Sequence, residues 1–183
     1  MKTFTLSIAI IGLISLAISQ TSFSDNDDEH GQGLWQRDAS VTQNPLYIEE
    51  CGGCHFAYAP GLLPQRSWQA IMSTLDDHYG DNAELDSTSQ QAISRYLIDN
   101  SAESSTNRRL HKLQKGLSAS HTPLRITELP KFVREHDEIP KKVLVNNPKL
   151  SSLSQCPACH GDAGQGHFSE RRINIPGYGG WDD

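Results

Sequence analysis

The chain has 183 residues, of which 36% are hydrophobic and 7% aromatic, and its formal net charge is −6. Residues 20–100 hold 13 acidic and 3 basic side chains, whereas residues 101–183 hold 9 acidic and 12 basic ones. An acidic, dipolar chain of this kind argues against nucleic-acid binding, which needs clustered positive charge, and it permits oriented docking of a charged partner.

The first 19 residues have the pattern of an export signal. A lysine opens the segment, residues 4–18 form an apolar run, and Ala17 and Ser19 place small side chains before a cut at Gln20. Because the run is too short to span a bilayer comfortably, we expect cleavage and a periplasmic protein that is not embedded in the membrane. An uncleaved N-terminal anchor is the alternative.

Four parts are predicted in chain order. The signal covers residues 1–19, and a polar, acidic and flexible leader covers residues 20–42. Residues 43–101 are expected to form a helical domain, and residues 102–183 a second domain that is irregular and poor in helix. The predicted fold class is therefore mainly α.

Two short motifs repeat the pattern Cys-x-x-Cys-His, at residues 51–55 (CGGCH) and 156–160 (CPACH). Two cysteines three apart lie on adjacent positions of a helical turn, so their sulfurs can reach the two vinyl groups on one edge of a porphyrin. The next residue then projects its imidazole toward the iron. The cysteines are Cys51, Cys54, Cys156 and Cys159, and the histidines are His55 and His160.

Four cysteines could instead form two redox disulfides or one zinc site. Neither use needs a histidine directly after the second cysteine, and here that histidine occurs twice, downstream of an export signal. The motifs therefore predict two covalently attached heme c groups. Two buried porphyrins would also supply apolar surface that this chain, with few large side chains, otherwise lacks.

The segment after the first motif predicts a second iron ligand. Ser67 is expected to cap a helix that stops at Gly80. Its apolar stripe consists of Trp68, Ile71, Met72, Leu75, His78 and Tyr79. His78 is therefore the expected ligand opposite His55, and Met72 is the alternative. A backbone carbonyl of the loop that follows, with Pro60 as the candidate, is expected to orient the His55 ring. A third helix is predicted from Ser87 to Asp99.

The second motif needs a pocket built from residues that precede it, since only 23 residues follow His160. His136 lies one helical turn after Phe132, in a predicted short helix that follows Pro130. It is therefore the expected opposing ligand. The alternatives, in order, are His121, His111 and His167.

Seven short segments share a pattern with known proteins: 50–55 (ECGGCH), 57–64 (AYAPGLLP), 67–72 (SWQAIM), 78–80 (HYG), 125–127 (RIT), 134–136 (REH) and 156–160 (CPACH). On these segments the chain resembles one family, the periplasmic diheme cytochromes c (DHC). The resemblance implies a class I cytochrome c-like first domain, an irregular second heme domain, and two histidine ligands at each iron. By matching position, His78 serves the first iron and His136 the second.

The resemblance also implies a function. The expected function is low-potential electron transfer, to a small oxygen-binding monoheme cytochrome (SHP) and from a membrane cytochrome b. An iron bound by two imidazoles has no open position for a substrate, so such a protein is expected to carry electrons and not to be an enzyme. The alternatives are a diheme peroxidase, a small-molecule reductase, or a gas sensor, each with one open heme site.

Overall fold

The structure is a computed structural model, and it describes residues 43–145 and 147–181. The predicted signal and leader, residues 1–19 and 20–42, lie outside the described residues. Within the described part the chain is mostly helical and has one two-stranded sheet, so the mainly α prediction is confirmed there. In the same part of the chain, no helix is long and apolar enough to cross a membrane.

The described residues contain seven α-helices and five short 3₁₀ turns. The α-helices are α1 (Pro45–Gly52), α2 (Gln65–Met72), α3 (Ser87–Asp99), α4 (Arg108–Leu113), α5 (Pro130–His136), α6 (Lys141–Val145) and α7 (Cys156–Cys159). The 3₁₀ turns are Pro60–Leu62, Leu75–Asp77, Ile126–Glu128, Ala163–Gln165 and Glu170–Arg172. Strands β1 (Asn174–Ile175) and β2 (Gly179–Gly180) pair antiparallel, with Asn174 opposite Gly180.

Three helices begin at residues that favour a helix N-terminus. The side chain of Asn44 accepts the Tyr47 N–H at 3.0 Å, which caps α1 ahead of a proline in its first turn. Asp86 accepts two backbone N–H groups of α3, and that helix has the predicted bounds. Helix α5 starts at Pro130 and ends at the candidate ligand His136, so the short helix predicted after Pro130 is confirmed.

The prediction for α2 is wrong at both ends. The helix begins at Gln65, so Ser67 is a buried residue inside it and not its cap. It ends at Met72, where the Ser73 hydroxyl bonds the Ala70 carbonyl at 2.7 Å and so competes with the helical pattern. His78 therefore lies beyond the helix and not on its apolar stripe.

The hydrophobic core joins the helices through residues from both halves of the sequence. Helix α2 packs against α3, and α4 packs against α5. The fully or nearly buried members of the core cluster are Tyr47, Ala59, Leu62, Leu63, Trp68, Met72, Leu75, Ile93, Leu97, Leu110, Ile126, Leu129 and Phe132. The domain boundary after residue 101 stays a prediction, and this core extends across it.

Asn107 caps α4 from a buried position, so its replacement should be costly. Its side-chain oxygen accepts the N–H groups of Arg109 and Leu110, and its amide donates to the Gly166 carbonyl at 3.4 Å. We expect Asn107→Ala to lower the free energy of unfolding by about 1–2 kcal/mol. Urea unfolding followed by circular dichroism measures this change. Asn107→Ser keeps a capping oxygen and should recover part of the loss; an Ala variant as stable as the original would contradict the capping role.

Candidate functional site

The first site consists of Cys51, Cys54, His55 and His78. Cys51 lies in the last turn of α1, and Cys54 and His55 follow the helix on the surface. The Nδ1 atom of His55 lies 2.8 Å from the Phe56 carbonyl, which accepts its proton and leaves Nε2 available as a metal ligand. The expectation that the Pro60 carbonyl orients this ring is wrong, because that carbonyl accepts the Trp68 indole N–H at 2.7 Å.

His78 is held in a tight turn after the Leu75–Asp77 3₁₀ turn. Its N–H donates to the Asp81 carbonyl at 2.7 Å, and the Asp81 N–H donates back at 3.3 Å. The two residues between them, Tyr79 and Gly80, have φ of 59° and 101°. Two successive residues with positive φ define the type I′ turn that closes hairpins.

A tyrosine at positive φ is strained, and two contacts hold Tyr79 there. Its hydroxyl donates to the Leu124 carbonyl, and the Arg125 guanidinium lies 4.1 Å from its ring centre. Backbone strain of this kind costs about 1–3 kcal/mol and persists only where the surroundings enforce it. Tyr79 is 45% exposed, so its predicted place on an inward stripe is also wrong.

The rings of His55 and His78 face each other with centroids 6.2 Å apart and planes inclined by 20°. A metal–imidazole bond is about 2 Å long and the ring centre lies about 1 Å beyond the nitrogen, so two imidazoles on opposite sides of one metal have centres about 6 Å apart. The pair therefore fits one metal between its members. The alternative ligand, Met72, packs in the hydrophobic core.

The second site consists of Cys156, Cys159, His160 and His136. Helix α7 is the Cys-x-x-Cys segment itself, and the His160 N–H closes it onto the Cys156 carbonyl at 2.8 Å. His160 also forms an isolated bridge with Ile173, just before β1. The segment that leads into β1 thus holds the backbone of His160 in place.

His136 approaches the second site from the end of α5. Its Nδ1 lies 2.9 Å from the Phe132 carbonyl, and its ring stacks on the Phe132 ring with centroids 3.9 Å apart. The carbonyl takes one ring nitrogen, so the other is available as a ligand. The rings of His136 and His160 have centroids 6.3 Å apart, which again fits one metal between them.

A cavity of about 390 Å³ lies around this second pair. Its walls include both histidines and both cysteines of the second site, together with apolar side chains, among them Leu62, Leu110, Ile126, Phe132, Phe168 and Trp181. Nδ1 of His160 is buried and has no hydrogen-bond partner among the described residues. A cavity of mostly apolar character, with a few polar groups that converge in it, suits a porphyrin.

Burial keeps these imidazoles neutral. Burial, and then the neighbouring His136, lower the pKa of His160 to about 4. Burial also lowers the pKa of His136, and burial followed by His55 lowers the pKa of His78. Only the neutral imidazole has a lone pair for a metal, so all three are in the ligand form at neutral pH.

The cysteines do not match the zinc or redox alternatives. Burial raises the pKa of Cys51 and of Cys156 to about 11, so neither is the low-pKa thiolate that is typical of a redox-active cysteine. All four cysteines are free of disulfides. Across residues 43–145 and 147–181, no three His, Cys, Asp or Glu side chains converge as metal ligands, so the four cysteines do not form a zinc site.

The other candidate histidines lie elsewhere. His111 is exposed on α4, His121 is exposed in a loop where its carbonyl accepts from Arg66, and His167 is half-buried beyond the second motif. Sequence reasoning missed the stacking of Phe132 on His136, although their spacing of four residues in a helix could have indicated it. No sequence signal indicated the contacts of Tyr79.

Two covalent attachment motifs, each with a facing histidine pair, define a c-type cytochrome with two heme sites. The profile of the family described as dihaem cytochrome c matches residues 47–168, and the chain belongs to this family. The family resemblance read from the sequence is thereby confirmed. Two covalently bound heme c groups are therefore its cofactors, as the motifs predict.

Solved structures of diheme cytochromes c are similar to this chain. A diheme cytochrome type c from Shewanella baltica is 42% identical, with a TM-score of 0.64 over 78% of this chain and 100% of that one. A diheme cytochrome c from Rhodobacter sphaeroides is 45% identical, with a TM-score of 0.61 over 71% of this chain and 100% of that one. No curated protein matches the sequence.

The turn at His78 can be tested through Gly80, whose φ is +101° and whose added Cβ would meet no atom within 4 Å. We expect Gly80→Ala to lower the free energy of unfolding by about 1–2 kcal/mol, since the cost is conformational and not steric. Gly164, where a Cβ also has open space and no positive φ is found, is the matched control. Urea unfolding of both variants measures the difference, and equal stability of the two would rule out the strained turn.

Proposed function

We propose that this chain is a periplasmic electron-transfer protein in which two histidines bind each heme iron. At the first heme, Cys51 and Cys54 make the covalent attachment, and His55 and His78 bind the iron. At the second, Cys156 and Cys159 make the attachment, and His160 and His136 bind the iron. The observation that carries this proposal is the pair of ring separations, 6.2 Å and 6.3 Å, in two sites built from different elements.

The chain's own residues would hold and orient both ligand pairs. Carbonyls of Phe56 and Phe132 accept protons from Nδ1 of His55 and His136, which directs their second nitrogens inward. The turn at Tyr79 aims His78, and the helix-end geometry of α7 fixes His160. When bound, heme supplies reversible one-electron chemistry.

Two histidines at each iron leave no coordination position for a substrate, which favours an electron carrier over an enzyme or gas sensor. Without a methionine ligand, which raises the potential of cytochromes c, both centres are expected at low potential. Met72 is the remaining alternative at the first iron, and its burial in the core among α2 and α3 residues argues for packing instead.

Family membership and the charge distribution support the finer assignments. Residues 43–101 form a class I cytochrome c-like heme domain, and residues 102–183 form the irregular second one. The mature protein, released from the signal of residues 1–19, exchanges electrons with a membrane cytochrome b and a small soluble cytochrome such as SHP. The exposed His55 and Cys54 give a partner close access to the first heme, on the acidic half of the sequence.

The ligand assignments predict the spectra of single variants. The mature protein should contain two hemes per chain by pyridine hemochrome, both low-spin and indifferent to carbon monoxide when reduced. His78→Ala and His136→Ala should each convert one of the two hemes to a high-spin form that binds carbon monoxide, because each opens one coordination position.

The matched controls are His121→Ala and His111→Ala, which remove exposed histidines and should leave both hemes low-spin. A carbon monoxide-binding heme in the unaltered protein would indicate an enzyme or sensor instead. A low-spin spectrum retained in His78→Ala would transfer the first ligand assignment to Met72.

A further inference from the structure

We propose that Tyr58 is an electronic bridge between the two heme sites. The inference rests on the proposed function, because electron transfer through two hemes requires electronic coupling between them, and the inference assigns that coupling to a residue. Tyr58 lies three residues after His55 and belongs to neither attachment motif. Its side chain contacts a candidate ligand of the first site and the segment that leads into the second motif.

The contact with the first site is a ring contact. The centroids of the Tyr58 and His55 rings are 5.3 Å apart, with planes inclined by 37°. This separation lies in the range of direct aromatic contact. Tyr58 therefore touches the imidazole that is proposed to bind the first iron.

The contact with the second site is a hydrogen bond. The Tyr58 hydroxyl donates to the Ser154 carbonyl at 3.0 Å, across 96 positions of sequence. The Sγ atom of Cys156, which stands for the thioether sulfur of the second heme, lies 3.7 Å from the same carbonyl oxygen. The Ser154 carbonyl oxygen thus contacts both the Tyr58 hydroxyl and the sulfur of Cys156, which is the atom proposed to attach the second heme.

The bridge is held in place by its surroundings. The Tyr47 hydroxyl donates to the Tyr58 carbonyl at 2.8 Å, and the Phe56 ring lies edge-on to the Tyr58 ring at 5.3 Å. Tyr58 and Leu153 both pack against the hydrophobic core. Because Tyr58 is held on both sides, it offers a single defined path for electron transfer.

The consequence is a short path of contacts from one site to the other. Electronic coupling falls more slowly through bonded and hydrogen-bonded atoms than through gaps. In the exchange, one electron leaves one iron, which goes from iron(II) to iron(III), and reduces the other from iron(III) to iron(II). Tyr58 is neither oxidised nor reduced, and it keeps its hydroxyl proton.

The test compares two changes at Tyr58 with a matched control. Tyr58→Phe keeps the ring and removes the hydrogen bond, whereas Tyr58→Leu removes both. Tyr178→Phe is the control, since the Tyr178 hydroxyl also donates to a carbonyl, that of Lys142, and neither residue belongs to an attachment motif. Each purified diheme protein is reduced rapidly by one electron, and the redistribution of that electron between the hemes is timed.

We expect a severalfold slower redistribution in Tyr58→Leu, an intermediate rate in Tyr58→Phe, and an unchanged rate in Tyr178→Phe. Redox titration of every variant supplies the potential difference, so that a change in driving force is not mistaken for a change in coupling. Rates that are equal at equal potential difference would overturn the proposal.

A second measurement separates the bridge from a structural support. In the oxidised protein, unpaired spin delocalised onto Tyr58 adds a contact shift to its ring protons, beyond the through-space pseudocontact shift that every nearby proton has, and the loss of these resonances in Tyr58→Leu assigns them. Ring protons whose shifts are wholly pseudocontact would also overturn the proposal. The optical spectra report the ligands independently: high-spin heme in the unaltered protein would count against the proposed function, whereas high-spin heme only in Tyr58 variants would mark a support of His55 and overturn the bridge.

Discussion

Under the proposed ligation, each site depends on one constraint: two imidazole rings from distant positions must be held about 6 Å apart, the separation that one metal between them requires. A displacement of one ring by a single ångström is large compared with the tolerance of a metal–nitrogen bond. The backbone carbonyls beside His55 and His136, the turn at His78 and the short helix before His160 all serve this separation. The hydrophobic core that joins the helices keeps these carbonyls, the turn and the short helix in fixed positions relative to one another.

The two sites meet the constraint by different means. At the first, a strained surface turn positions His78, and an aromatic ring and an arginine hold that turn from outside. At the second, helix α5 delivers a histidine into an apolar cavity and Phe132 stacks beneath it. The first site thus combines a strained backbone at Tyr79 with an exposed histidine, His55, whereas the histidines of the second site are held by burial. Under the proposed function, the first centre would be accessible to partners and the second would be shielded.

Sequence reasoning succeeded where the signal was local. The attachment motifs, the helix from Ser87 to Asp99 and the short helix that carries His136 all follow from patterns within one segment. It failed for α2, because the hydroxyls of Ser73 and Thr74 compete for helical carbonyls and the pattern of apolar residues does not register this. His78 still faces His55, although it does so from a turn. The contact between Tyr58 and Ser154 spans 96 positions, and no periodicity can indicate it.

The order of the ligands along the chain has a consequence for refolding. His78 follows His55 by 23 residues with no histidine between them, whereas His136 precedes His160 by 24 and His167 follows it by only 7. Because hemes stay covalently attached to an unfolded chain, the nearest histidines compete for each iron. By chain length alone, closing the shorter loop costs about 1 kcal/mol less entropy. Under the proposed ligation, His167 would therefore compete with His136 for the second heme. Under that ligation, refolding of the second site would include the release of a misplaced histidine above the pH at which imidazole is protonated, whereas the segment between His55 and His78 contains no competing histidine.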